Sequence, residues 1–246
     1  MRFKFKAFAA LLAATTLGSL PARSYKGSGE GQLVDSGAFG IFRQGHRIGT
    51  ETFTIHQGTD VSVTSAELKI EDGNDRASQS SELQVASNGE LRHYEWKQSS
   101  PEKAQATVDY RDQFLVEHIT PPGAKTQERA FLLPPSTVIL DDFFTHREIL
   151  LWRYLASFCG ATINPQGCNL QPGQFGVFIP RQQLSTTVAV KYAGKDKVMF
   201  HGAERELDHF TLQSDDALWN LWIENAYPFK LLRILVPAEN VEVVRD

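Results

Sequence analysis

The sequence predicts a mainly β protein, built as one large curved antiparallel sheet or open β-barrel with a single principal α-helix on its concave side. Two observations predict this fold. Apolar and polar residues alternate in short runs between turn signals, which indicates about twelve strands. Only one segment, near residues 143–158, carries apolar residues at helical spacing. Because a helix must bury its apolar stripe, we expect a lone helix among many strands to pack inside the sheet.

Residues 1–24 predict a secretory signal peptide. A basic start, Met1–Lys6, precedes an apolar run, Ala7–Leu20, which is shorter than the roughly 20 residues that a membrane-spanning helix needs. Small residues follow, so we place the cleavage after Ser24, with cleavage after Ala22 as the alternative. The mature protein is therefore expected to be exported, to the periplasm or outside the cell, without a membrane span.

The rest of the chain divides into a leader and one domain. Residues 25–37 are rich in Gly and Ser and predict a flexible leader, whereas residues 38–246 predict a single β-rich domain. Residues 1–24 hold four basic residues and no acidic ones, which leaves 21 basic against 29 acidic residues, a net charge of −8. This balance argues against nucleic acid as a partner, since phosphates favour clustered Lys and Arg.

The first strands are predicted as a meander of hairpins. Residues 39–57 form one hairpin around a turn at residues 44–46, and Asn88-Gly89 predicts another, because both residues tolerate positive φ. Val61 and Val63 have the opposite parity to the later apolar residues of their strand, which predicts a β-bulge near residues 64–65. Further strands are expected up to residue 133.

The predicted helix interrupts this meander. Its apolar residues include Phe144, Leu151 and Leu155, and Thr145 to Glu148 fits a capping box in which each side chain bonds the other residue's backbone. Strands resume at Phe175 and continue, with regular turn signals, to Val244.

The two cysteines, Cys159 and Cys168, stand nine positions apart across a turn-rich segment. In an oxidising compartment this spacing favours a disulfide. The alternative is a pair of free thiols. A structural zinc site is disfavoured because it needs four ligands and no second cysteine pair exists.

Two stretches carry a family resemblance. Residues 35–55 contain Gly-His-Arg-Ile-Gly, and residues 218–234 contain Leu-Trp-Asn-Leu-Trp-Ile-Glu followed by Pro-Phe-Lys. These motifs resemble a broad group of exported bacterial proteins of unknown function, similar to the curved half-barrel carriers and receptors of periplasmic lipoproteins. The resemblance implies the architecture and transfers no binding residue.

The leading functional hypothesis is a non-enzymatic protein that binds a lipid, an acyl chain or a lipidated protein in a groove of the sheet. Four aromatic residues, Trp152, Phe158, Trp219 and Trp222, are the candidate lining of that groove. The alternative is that they fill the core. Trp219 and Trp222 differ by three positions and should face opposite sides of a strand.

Two other functions stay open at this level. One is an envelope scaffold that offers a sheet edge to partners. The other is a metal-dependent hydrolase using Asp142 and His146, which would share one face if the helix already included both. Carboxylates also cap helix N-termini, which is the simpler interpretation of this cluster. The sequence contains no motif that indicates a cofactor.

Overall fold

The computed structural model describes residues 31–73, 75–159, 168–214 and 217–246. The predicted signal peptide and residues 25–30 of the predicted leader lie outside these ranges. The first strand begins at Gln32 and pairs with the second from Gln32↔Gln57 onward. The prediction of a flexible leader up to residue 37 is therefore wrong for residues 32–37. These residues form backbone hydrogen bonds with the neighbouring strand, although Gly and Ser lie among and beside them.

Fifteen strands and one α-helix make up the described chain. Before the helix lie β1 (Gln32–Arg43), β2 (His46–Gln57), β3 (Val61–Asp72), β4 (Asp75–Ala86), β5 (Leu91–Ser100), β6 (Ala104–Arg111), β7 (Phe114–Thr120), β8 (Gln127–Phe131) and β9 (Val138–Ile139). The helix α1 spans Thr145–Cys159. After it lie β10 (Gly173–Ile179), β11 (Leu184–Phe200), β12 (Ala203–Gln213), β13 (Leu218–Ile223), β14 (Leu231–Val236) and β15 (Val241–Arg245).

All fifteen strands belong to one sheet, in the order β8-β7-β6-β5-β4-β3-β2-β1-β15-β14-β13-β12-β11-β10-β9. Neighbouring strands are antiparallel except β9 and β10, which are parallel. The N-terminal and C-terminal halves of the meander join where β1 pairs with β15. The predicted fold class is confirmed. The strand number exceeds the prediction, in part because β9 has only two residues and shows no alternation.

The sheet curves around α1 as an incomplete barrel. Inward-facing side chains of the strands form one apolar core with the helix residues Leu150, Leu151, Tyr154 and Leu155. The two ends of the sheet approach each other, since the Phe131 and Phe178 rings lie 4.6 Å apart. The helix therefore fills the interior of the curved sheet, on the predicted concave side.

Strand β3 differs from its prediction. Its pairing with β2 and with β4 runs without a register shift, so no bulge lies at residues 64–65. Thr64, Ala66 and Leu68 face the core, whereas Val61 and Val63 are only partly buried. Val61 and Val63 have the opposite parity because their side chains lie on the outward face of β3, and no bulge is involved.

The start of α1 is capped by a residue from another strand. Glu51 of β2 accepts hydrogen bonds from the backbone N–H groups of Phe144 and Thr145 at 2.6 and 2.9 Å, and from the Thr145 hydroxyl. The predicted capping box is therefore wrong, because Thr145 donates to Glu51 instead of accepting from the Glu148 amide. Glu51 thus supplies acceptor oxygens to N–H groups that the start of the helix would otherwise leave unpaired.

A disulfide bridges the last residue of α1, Cys159, to Cys168, with a Cα–Cα distance of 4.9 Å. This bridge confirms the predicted cysteine pairing. Within the described ranges, none of the helices has the length and apolar character needed to cross a membrane.

Candidate functional site

A cavity of about 540 Å³ lies between the second half of α1 and strands β1–β5. Aliphatic and aromatic side chains form most of its inner wall: Ile55, Leu83, Val85, Leu91, Ile139, Ile149, Trp152, Leu155 and Phe229. The volume falls within the range of about 300–1,000 Å³ that is usual for small-molecule sites. The cavity can accept an apolar group without displacing charged side chains.

Exposed residues mark the mouth of this cavity. Thr59 lies in the β2–β3 turn, Asn88 in the β4–β5 turn, Ser157 near the end of α1, and Tyr227 in the loop before β14. Tyr227 is 69% exposed. Arg153 of α1 also lines this end of the cavity, and its guanidinium lies close to Gly89. The mouth is thus polar, while the interior is apolar.

The structure brings only one of the four predicted lining residues to the cavity. Trp152 lines it and donates its indole N–H to the Phe229 carbonyl oxygen at 3.2 Å. Phe158 packs against Tyr154, with ring centroids 4.9 Å apart, on the other side of the helix from the cavity wall. The remaining two predicted residues lie elsewhere in the fold.

Trp219 and Trp222 separate as their spacing predicts. Trp219 packs at the edge of the main core, where the Arg147 guanidinium lies 4.5 Å from its ring centroid. Trp222 belongs to a second cluster with Phe200 and Leu232, and its indole N–H donates to Asp196 at 3.0 Å. Neither residue lines the cavity.

The predicted metal or acid–base pair does not form. Asp142 precedes the helix, is exposed and pairs with Arg181. His146 is fully buried inside the helix interface, and its Nδ1 accepts a long hydrogen bond of 3.4 Å from the Asp141 N–H. The condition for the two to share a helical face is not met, because α1 begins only at Thr145.

His146 stays neutral in the folded protein. Burial, assisted by the neighbouring Arg147 charge, lowers the pKa of His146 to about 3. The accepting Nδ1 places the proton on Nε2, which has no hydrogen-bond partner. Within the described ranges, no three His, Cys, Asp or Glu side chains are grouped closely enough to hold a metal ion.

Asp141 lies at the centre of a polar network next to His146. It accepts hydrogen bonds from the Tyr94 hydroxyl at 2.8 Å and from Arg181 Nε at 2.9 Å. Burial raises the pKa of Asp141, while the Arg181 charge opposes that rise. The network joins β5, the segment before α1 and the turn after β10, and therefore holds the start of the helix in place.

A second buried polar cluster joins α1 to β1 and β15. Arg245 donates to Asp35 at 2.6 Å, and its other terminal nitrogen lies 3.8 Å from Glu148. Burial and the adjacent Asp35 charge raise the pKa of Glu148 well above its usual value. Among the described residues, one Asp35 oxygen and both Glu148 oxygens have no hydrogen-bond partner. A proton on Glu148 allows it to donate to Asp35, which gives a partner to two of these three oxygens.

The sequence carried little signal for the cavity itself. Its wall is made of one or several residues from each of β1 to β5, β9, α1 and the loop before β14. Each of these residues looks like an ordinary core position in its own strand. Arg153 is one of the charged residues of α1, with Arg147 and Glu148, and its position in the chain does not single it out.

The fold and the helix-filled interior define a β-barrel-like protein with an open seam. A solved protein with this fold is the "Beta-barrel-like Protein of Domain of Unknown Function DUF1849 from Brucella abortus". The match has a TM-score of 0.53 and 8% sequence identity, and covers 89% of this chain and 97% of that one. At this identity the likeness shows the fold alone. No protein-family model matches the chain, and no curated protein matches it.

Proposed function

We propose that this protein binds the alkyl or acyl chain of an amphiphilic ligand in the cavity between α1 and strands β1–β5. The observation that carries the proposal is the cavity of about 540 Å³ with an apolar wall and an exposed polar mouth. The function is one of binding, without a catalytic step.

The physical basis is the burial of the chain. Each methylene moved from water into an apolar site gains about 0.8 kcal/mol, which corresponds to roughly fourfold in Kd. The buried side chains of Ile55, Leu83 and Leu155 in the cavity wall are apolar, so they do not penalise this transfer. Affinity should therefore rise with chain length until the cavity is full, and then level off.

We also propose that the protein works in an oxidising compartment after export. The Cys159–Cys168 bridge supports this setting, since disulfides persist in such compartments. Residues 1–24 support the route of export by their basic start and apolar run. Intact mass of the protein recovered from a periplasmic fraction, with and without reductant, would test both the cleavage site and the bridge.

The binding proposal is tested with uncharged probes. Wild-type protein is titrated with N-phenyl-1-naphthylamine, and 1-alkanols of 8 to 14 carbons are then used to displace it. We expect saturable fluorescence and about fourfold tighter displacement per added methylene. A wild-type protein that gives no saturable signal, or displacement independent of chain length, overturns the proposal.

A filled cavity provides the matched variant. Val85→Phe adds volume inside the cavity, while Val116→Phe makes the same change on the outward face of β7. We expect Val85→Phe to abolish probe binding and Val116→Phe to preserve it. Equal binding by both variants places the probe outside this cavity and counts against the site.

A further inference from the structure

We propose that the cavity selects single-chain amphiphiles with an anionic headgroup, carboxylate or phosphate, and that Arg153 binds this headgroup at the mouth. The inference rests on the proposed function and adds the chemical class of the ligand. It follows from the position of one cation and from what surrounds it.

Arg153 lies where a headgroup would emerge from the cavity. It lines the cavity together with the exposed Asn88 and Ser157. A Cβ placed on Gly89 would lie 3.5 Å from Arg153 Nε, so the β4–β5 turn approaches the guanidinium closely. Gly89 itself has a φ of +80°, which the turn requires.

The charge of Arg153 has no close counterion among the described residues. Glu90 acts on it only at a distance, since no described carboxylate lies within the 4.0 Å of an ion pair. Its guanidinium carbon lies 5.9 Å from the Phe175 ring centroid, a cation–π contact that leaves the N–H groups free to donate. The side chain is half-buried, so an anion there would be only partly screened by water.

Three other arginines of this interior already have polar partners. Arg181 pairs with Asp141 and Asp142, and Arg245 pairs with Asp35. Arg147 donates to the backbone carbonyls of Asp141 and Phe143. Within the part of the chain that the structure describes, Arg153 is thus a half-buried cation without an anionic partner at the opening of an apolar cavity.

The ends of a bound amphiphile match this arrangement. The apolar wall takes the chain, and the guanidinium offers paired N–H donors to a carboxylate or phosphate. A hydrogen bond to a charged group of this kind corresponds to about tenfold or more in affinity. A cationic headgroup would instead be repelled by the same guanidinium.

The test compares headgroups at constant chain length. Displacement of N-phenyl-1-naphthylamine is measured with dodecanoate, dodecyl phosphate, 1-dodecanol and dodecyltrimethylammonium, all below their aggregation concentrations. We expect the two anions to bind about tenfold or more tightly than the alcohol, and the cation more weakly. Acetate and inorganic phosphate alone should leave the probe in place, because they carry no chain. Displacement of the probe by either anion would show that Arg153 binds free anions, and would overturn the inference of an amphiphilic ligand.

Variants separate this inference from the proposed function. Arg153→Met should abolish the preference, so that this variant binds dodecanoate and 1-dodecanol with about equal affinity, and Arg153→Lys should restore part of the preference. Arg92→Gln, which removes an exposed charge from β5, serves as the control. Equal affinities for dodecanoate and dodecanol in wild type overturn the headgroup inference while chain binding stands. If wild-type protein binds neither the alcohol nor the anions, both the headgroup inference and the proposed function are overturned.

Discussion

At the scale of single residues, the interface between α1 and the sheet holds charged and polar groups in positions that burial alone would not favour. His146, Arg147 and Glu148 are consecutive residues in the first turn of α1, and each is at least nine-tenths buried. Their protonation is set by their surroundings, which makes the stability of the fold depend on pH in a direction that can be worked out for each group.

His146 should make the protein sensitive to acid. In the unfolded chain its pKa is near 6.5, but in the folded protein it is about 3. The unfolded state therefore binds more protons between these values, so stability falls as pH falls from 6.5 toward 3, by up to about 1.4 kcal/mol per pH unit. His146→Phe should flatten this acid limb.

Urea unfolding of wild type and His146→Phe between pH 7 and pH 4 measures that difference. His46→Gln, at an exposed position in the β1–β2 hairpin, should behave as wild type. Parallel pH profiles for wild type and His146→Phe would contradict a neutral buried imidazole.

Glu148 should act in the opposite direction. Its folded pKa is raised well above 4.5, mainly by burial, so the folded state holds a proton that the unfolded state has released. Stability therefore falls as pH rises above 4.5 toward the folded pKa. Glu148→Gln retains a donor for Asp35 and should remove this loss, so that the variant equals or exceeds wild-type stability at pH 7 to 8. A variant strongly destabilised at pH 7 would show that Glu148 is ionised in the fold.

At the scale of elements, α1 is held at both ends by contacts outside the helix. Glu51 of β2 binds its first turn, and the Cys159–Cys168 bridge holds its last residue. The sequence predicted the second contact and missed the first. A helix cap supplied by a strand almost one hundred positions away has no local signal, whereas two cysteines nine positions apart have one.

The Glu51 cap should be worth a measurable part of the stability. Burial raises the pKa of Glu51, while the Thr145 and Phe144 donors oppose that rise. Glu51→Gln replaces one acceptor oxygen with a donor facing these groups, so we expect a loss of about 1–3 kcal/mol. Chemical denaturation measures it, with the exposed Glu67→Gln on β3 as a control that should stay within about 0.5 kcal/mol of wild type.

Removal of the disulfide should destabilise the protein by a similar amount. The bridge closes a loop with a sequence separation of nine, for which the loss of chain entropy corresponds to about 2–3 kcal/mol. The double variant Cys159→Ser/Cys168→Ser should lose that much in urea unfolding without reductant. Reductant should lower the stability of wild type and leave the variant unchanged; a variant as stable as oxidised wild type would contradict the entropic estimate.

At the scale of the whole molecule, the fifteen-stranded sheet remains open but its ends meet through side chains. The Phe131 and Phe178 rings contact across the seam, and Gln183 donates to Glu117 at 2.9 Å. The seam lies on the β8–β9 side, apart from the joint of β1 and β15. The cavity borders this seam, since the β9 residue Ile139 lines its wall.

Phe131→Ala should loosen this seam selectively. Phe131 is only half-buried, so we expect a loss of about 2 kcal/mol, less than for a fully buried aromatic. Hydrogen exchange should accelerate in β8 and β9 more than in β1 and β15. Phe114→Ala, an exposed aromatic of the neighbouring β7, is the control. Uniform acceleration across the sheet would show that the seam supports the whole fold.

The sequence by itself determined the elements that leave a local pattern. Alternation predicted the strands, the Asn88-Gly89 pair predicted a hairpin turn, helical spacing predicted α1, and the cysteine spacing predicted the disulfide. These features depend on neighbours within a few positions of the chain, so a single sequence records them. The same reasoning separated Trp219 from Trp222 onto opposite sides of the sheet.

Only the tertiary structure decided where the cavity lies and what faces it. Curvature of the sheet brings residues from β1 to β5 against α1, and it places Trp152 on the cavity while Phe158, Trp219 and Trp222 pack elsewhere. It also pairs Asp142 with Arg181, buries His146 and leaves Arg153 without a close carboxylate among the described residues. These outcomes depend on contacts between residues far apart in the chain, which local periodicity does not encode.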